Sequence, residues 1–213
     1  MNLEHPAPPP RVFTPVAIAL HWLVALLICA GFGLGLTMTG MAFSPQKLKF
    51  YSWHKWIGVT VFLGAALRLW WRLGHPAPAL PAAMPPLERA LAQGAHGLLY
   101  VLFFVIPLSG WLYSSSKGLQ TVYLGVLPLP DLLSKEIGDT ILANTDAEKP
   151  FLVSDLLRRV HVSLDYFLAV VVAGHVLAAF KHYFYDRDDV LTTMIPALKP
   201  RAADPSNPKG TVP

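Results

Sequence analysis

Six histidines stand in or at the ends of stretches that carry almost no charge: His21, His54, His96, His161, His175 and His182. A titratable ring in a membrane-length apolar segment is costly unless something repays it. An imidazole can hydrogen-bond a neighbouring helix, carry a proton or ligate a metal. Taken singly, each of the six reads as a hydrogen-bonding residue; their spacing together argues for ligation. His161 and His175 are 14 residues apart, close to four helical turns, so they share one helix face about 21 Å apart. That separation places one near each side of a bilayer. Successive spans alternate direction, so His54 falls on the side of His161, and His21, His96, His175 and His182 fall towards the other. Two flat cofactors stacked through a bundle, each clamped by imidazoles from two helices, fit this arrangement. Haem b suits it, being held by axial histidines without covalent attachment. Zinc suits it less, because no cluster gathers three or four cysteine, histidine and carboxylate ligands. Geometry alone leaves His21 and His96 as alternative partners for His175. His5 and His75 lie in proline-rich sequence outside the apolar segments.

The elements that must position these rings are membrane helices. Of the 213 residues, 54% are hydrophobic and 14% charged, and mean hydropathy is +0.45, a balance too oily for a soluble domain of this size. About 20 helical residues cross roughly 30 Å of hydrocarbon, and four stretches reach that length, near 15–38, 52–73, 93–115 and 158–183. The expected fold is all-α: an integral membrane four-helix bundle, up-down-up-down, with two b-type haems stacked in it. A polar tail (1–14) precedes the bundle (15–196), and a polar, proline-rich tail (197–213) with the composition of disorder follows. The N-terminus does not read as a cleaved signal peptide, since Glu4 and a proline cluster precede an apolar run too long for a signal core. The prolines of "GHPAPALPAAMPPLE" exclude helix there and suggest an extended crossing. Residues 116–157 read as an ordered extramembrane loop with one short surface helix. "GFGLGLT" follows no strand and is no dinucleotide fingerprint; its small residues permit close approach of a neighbouring helix or a flat ligand. The single cysteine, Cys29, excludes structural disulfides, an iron–sulfur cluster and covalent c-type haem.

Four segments together resemble the bacterial cytochrome b561 family: "TPVAIALHWLVALL", "WHKWIGVTVFLGAALRLWWRLGHPAP", "IPLSGWLYSSS" and "HVSLDYFLAVVVAGHVLAAFKHYFYDRDDVLTTMIP". The likeness covers nearly the whole chain and includes the His21-Trp22 pair, the Arg68/Arg72 end of the second helix, the 14-residue histidine spacing and the closing acidic motif. It implies that His21 and His175 ligate a cytoplasmic-side haem iron, and His54 and His161 a periplasmic-side one. The loop 116–157 is longer than in the shortest members, and the tail is extended. The eukaryotic six-helix proteins that share the name are set aside on helix count.

The resemblance implies a dihaem cytochrome b of the bacterial inner membrane that moves electrons between a periplasmic donor and the ubiquinone pool, of superoxide:quinone oxidoreductase type. An anchor and electron-transfer subunit for a partner dehydrogenase or hydrogenase is the second reading, and a non-redox helical membrane protein the third. Partners on the first reading are lipid, quinone and a small anionic donor or redox protein; no nucleic acid is expected. Charge near the helix ends is balanced six against six, so the positive-inside rule does not orient the bundle. Lys199, Arg201 and Lys209 in the tail, with the resemblance, favour both termini in the cytoplasm. Arg68 and Arg72, four apart near the inner end of the second helix, are expected to offer a guanidinium to a haem propionate. Asp165, one turn from His161, could orient a ligand or bond a neighbouring helix. His182, seven residues beyond His175, falls where a quinone head group would need a donor that also passes protons. Lys49, Lys55 and Arg158 lie near the outer histidine pair, where positive charge would steer an anion.

Overall fold

The computed structural model describes residues 12–81, 84–143, 150–195 and 197–198. Most of both tails, Asp146 and Glu148 of the long loop, and the tail cations lie outside the described residues. Four long helices are apolar enough to cross a membrane: α1 (Pro15–Gly40), α2 (Pro45–Gly74), α3 (Pro86–Ser116) and α5 (Val153–Lys181), the last running on into a π-helical turn, His182–Asp186. Between α3 and α5 lie a hairpin of β1 (Val122–Tyr123) and β2 (Leu127–Pro128), a single-turn α4 (Lys135–Gly138), and a second antiparallel pair of β3 (Ile141–Ala143) and β4 (Phe151–Leu152). The short helix matches the expectation for this loop; the two β ribbons are additions to it.

Three of the long helices start earlier than apolarity alone predicts: α2 at 45 rather than 52, α3 at 86 rather than 93, α5 at 153 rather than 158. The physical reasons are capping hydrogen bonds at α2 and α5 and a proline in the first position of α2 and α3. Thr14 and Ser44 accept the Ala17 and Lys47 amides at 3.3 and 3.2 Å, and Asp155 accepts the Leu152 amide at 3.1 Å, each satisfying an orphan donor of a first turn. Pro15, Pro45 and Pro86 occupy first helical positions, where a missing N–H costs nothing. The "PPLE" prolines, expected only to exclude helix, therefore also start one.

α1 packs against α2 through small residues. A Cβ on Gly31 would lie 3.2 Å from Ile57 and one on Gly64 3.1 Å from Val24, so these glycines set how closely the helices approach. The buried core is Val24, Ala65, Leu99, Leu102, Phe103, Ile106 and Leu168. Leu168 stands midway between His161 and His175 on α5, so the core separates the two histidine levels. Most other large apolar side chains of the helices face outward, Trp70, Leu26 and Val170 among them, as a lipid-facing surface requires. Beyond the π-turn the chain folds back on the bundle, and the Trp22 indole donates to the Met194 carbonyl at 2.9 Å.

Candidate functional site

At one end of the bundle, His54 on α2 faces His161 on α5, ring centroids 6.1 Å apart and planes nearly perpendicular. His54 Nδ1 lies 2.9 Å from the Gly31 carbonyl; a carbonyl only accepts, so this nitrogen donates and Nε2 keeps its lone pair. The same logic fixes His161. Ser109 donates its hydroxyl to the Ile106 carbonyl at 2.8 Å and so accepts from His161 Nδ1 at 2.9 Å. Ser109 lies just past Pro107, which interrupts the hydrogen bonding of α3. Glycines make room for both rings. A Cβ on Gly110 would come 2.8 Å from His161 Cε1, and one on Gly35 3.4 Å from His54 Cε1. Asp165 Oδ2 is 3.4 Å from His161 Nε2.

At the other end three rings meet. His175 on α5 lies 6.3 Å from His21 on α1 and 5.2 Å from His96 on α3, centroid to centroid. His96 Nδ1 donates to the Ala92 carbonyl at 2.7 Å. His21 Nδ1 and the Tyr100 hydroxyl are buried with no hydrogen-bond partner among the described residues. The Arg68 guanidinium sits over the Tyr100 ring, 5.6 Å from its centroid. Arg72 is exposed in the last turn of α2.

His182 stands past this cluster, at the start of the π-turn. Its Nδ1 is 2.8 Å from Asp188 Oδ2 and 3.2 Å from Asp186 Oδ2, and Asp188 is itself buried, its other oxygen accepting the Val190 amide at 3.1 Å. Lys181 pairs with Glu88 at 3.1 Å and Asp186 at 2.8 Å, tying α3 to the end of α5. Glu88, His182 and Asp186 present ligand atoms within 4.8 Å of one another, but Lys181 already pairs with both carboxylates. These residues line a small cleft with Pro81, Met84 and Pro85. Sequence reasoning singled out His182 but not Glu88 or Asp188, nor Tyr100 and Ser109 at the two ring clusters. Ser109 and Asp188 stood in segments quoted for the resemblance, whereas Glu88 and Tyr100 carried no such signal.

Among the cations expected to steer an anion, Lys49 precedes His54 on α2 and Arg158 is one turn from His161. Lys55 Nζ donates to the Leu119 carbonyl at 2.8 Å and weakly to Gln120. Its ammonium therefore holds the long loop as well as carrying charge.

Long apolar helices that turn paired imidazoles toward one another at two levels suit a membrane-embedded cytochrome of the b type. The chain belongs to the prokaryotic cytochrome b561 family, whose model matches residues 12–197. It is 29% identical to cytochrome b561 homolog 2 of Escherichia coli (strain K12), over 87% of this chain and 92% of that protein. It is 24% identical to the probable superoxide oxidase CybB of Yersinia pestis, over 87% and 97%, and 22% identical to cytochrome b561 homolog 1 of Escherichia coli (strain K12), over 88% and 98%. The protein is thus a membrane electron carrier of a family that binds b-type haem.

The residues present fit that group. Two imidazole nitrogens bound at about 2 Å on opposite sides of one metal put their ring centroids about 6 Å apart, close to the 6.1 Å of His54–His161 and the 6.3 Å of His21–His175. His96–His175 is closer than that spacing. The buried His21 Nδ1 and Tyr100 hydroxyl, without hydrogen-bond partners among the described residues, lie beside Arg68 and mark the His21–His175 end as a place built for a polar group.

Proposed function

We propose that the protein is a dihaem cytochrome b of the bacterial inner membrane, passing electrons from a periplasmic donor, best superoxide, to ubiquinone, as a superoxide:quinone oxidoreductase. The observation that carries this reading is the pair of imidazole clusters at two levels, each with rings about 6 Å apart and the apolar core between them. Residues 15–196 act as one unit with both termini in the cytoplasm. His54 and His161 would hold the periplasmic-side haem, and His21 and His175 the cytoplasmic-side one. Bound haem supplies one-electron redox chemistry at a potential set by its axial ligands and surroundings.

The chain's own groups do the rest. Gly31 and Ser109 hold the outer imidazoles in the tautomer that leaves Nε2 free to ligate. Arg68 faces the inner cluster from a helix interior, where a guanidinium needs an anion, and a propionate supplies one; Arg72 is the second candidate for that role. His182 carries a proton toward a quinone head group, with Asp188 fixing its ring by the Nδ1 bond. Lys49, Lys55 and Arg158 raise the local concentration of a small anion at the outer mouth. The name of the Yersinia pestis relative supports superoxide as that anion.

The test is reduction by superoxide in proteoliposomes loaded with ubiquinone, followed by haem absorbance. Reduction should fall as ionic strength rises and fall again in a Lys49→Gln, Lys55→Gln, Arg158→Gln variant, since steering contributes roughly 10–10³-fold to such on-rates. Because Lys55 also anchors the loop, the Lys49→Gln, Arg158→Gln double variant should show the loss with the loop intact. A rate indifferent to salt and to all three substitutions rules out steering. Failure of superoxide to reduce the protein, with co-purification of a soluble dehydrogenase, would assign it instead as an anchor subunit.

A further inference from the structure

Residues 119–130, "LQTVYLGVLPLP", contain no charge although they belong to the connection between two spans. At their centre β1 and β2 pair with Val122 opposite Pro128 and Tyr123 opposite Leu127. A hairpin tip in water is usually built of Asn, Asp, Ser and Gly. Here the tip is Leu124, Gly125 and Val126, and both Leu124 and Gly125 adopt left-handed backbone, φ 52° and 75°. Glycine takes that conformation freely, whereas a branched apolar residue there is uncommon. The side chains point away from the protein: Val126 is 83% exposed, Leu124 58% and Leu127 56%.

The hairpin is bound to the flank of a spanning helix. The Trp56 indole donates to the Val122 carbonyl at 2.7 Å. Thr60 spends its hydroxyl proton on the Trp56 carbonyl at 2.8 Å and so accepts from the Tyr123 hydroxyl at 3.0 Å. Within the loop, the Gly125, Val126 and Leu129 amides donate to Val122, Tyr123 and Thr121 carbonyls, the internal satisfaction that non-helical backbone needs beside lipid. The level is set by neighbouring contacts. Ile57, next to Trp56, packs on Gly31, and α1 continues nine residues past Gly31 to Gly40, about 14 Å further out. Trp53 is half-exposed nearby, and the Trp111 indole donates to Pro130, aromatic groups of the kind that gather at a membrane boundary.

We propose that the Val122–Pro128 hairpin is a lipid-inserted wedge whose Leu124, Val126 and Leu127 side chains lie among the acyl chains of the leaflet on the His54 side. The apolar tip continues the lipid-facing surface of α2, and acyl chains are the occupant that an uncharged, outward-pointing tip at this level meets.

The experiment places an environment-sensitive nitrobenzoxadiazole probe on Val126→Cys in a Cys29→Ala background, using haem-loaded protein in phosphatidylcholine vesicles. Glu136→Cys on exposed α4 serves as the aqueous reference. The Val126 probe should emit to the blue of the Glu136 probe, be quenched by lipids carrying a doxyl group on the acyl chain, and resist iodide. Leu127→Cys should behave likewise. A Val126 probe quenched by iodide as readily as the Glu136 probe overturns the proposal. Protection from both quenchers also overturns it, because a second protein copy, not lipid, would then cover the tip.

Discussion

His161 stands where it does through two neighbours: Ser109 takes its Nδ1 proton and Gly110 leaves it space. A Cβ at Gly110 would approach Cε1 to 2.8 Å, closer than side chains pack, so the ring must turn or the helices must part. Gly110→Ala is therefore expected to lower haem content at the outer site while leaving the inner one filled. Gly33→Ala on α1, whose Cβ would meet nothing within 4 Å, should leave both unchanged. Haem per chain and the Soret spectrum check both variants. At the opposite end, His182→Ala should slow reoxidation of the reduced protein by ubiquinone about 100-fold or more, the usual contribution of a positioned proton donor, with both haems retained. Unchanged quinone kinetics would remove His182 from that role. The ring-bearing residues could be read from type and spacing alone, because 14 residues on a helix have a fixed meaning. Their partners could not. Ser109, Tyr100 and Asp188 act across helix–helix contacts or a chain reversal, and no period within one helix reports those.

The four spans were legible as elements because each is an apolar run of membrane length, yet their starts were not, since a capped first turn can be polar. Ser44 begins α2 by capping it, and Pro45 and Pro86 take first positions where a missing N–H costs nothing, neither being a matter of hydropathy. The loop between α3 and α5 was legible only in part: its short helix was expected, its ribbons were not, because two- and three-residue strands carry no readable alternation. What orders this loop is the run Ser114–Ser116, nearly or fully buried. Ser114 donates to the Leu119 carbonyl at 2.6 Å, and Ser115 accepts the Leu132 amide at 3.2 Å. Gly138 of α4 packs directly on the Ser116 backbone oxygen, where a Cβ would collide. Gly138→Ala should cost about 1–3 kcal/mol of local stability, as overpacking does. It is checked by faster proteolysis within residues 117–152, with the spanning helices still protected. Cleavage at the unaltered rate would show that α4 is not what holds the loop down.

Across the whole molecule the two imidazole clusters are poles separated by one apolar core. The chain's alternation of direction is what sorts five histidines onto two levels, with His182 beyond one of them. That sorting was available from the sequence, because helix count and direction follow from four apolar runs. The choice between His21 and His96 was not, since both lie at one depth. The 6.3 Å separation of His21 from His175 lies nearer the spacing of two imidazoles on one metal than the 5.2 Å of His96 from His175. The central claim is that each pole holds one haem through its own pair of histidines, and the direct measurement is haem per chain by the pyridine haemochrome method. Wild-type protein should carry two b haems. His54→Ala or His161→Ala should leave one, His21→Ala or His175→Ala should leave the other, and His96→Ala should keep both. A single haem in the wild type, or loss of a haem in His96→Ala with none lost in His21→Ala, would contradict the account.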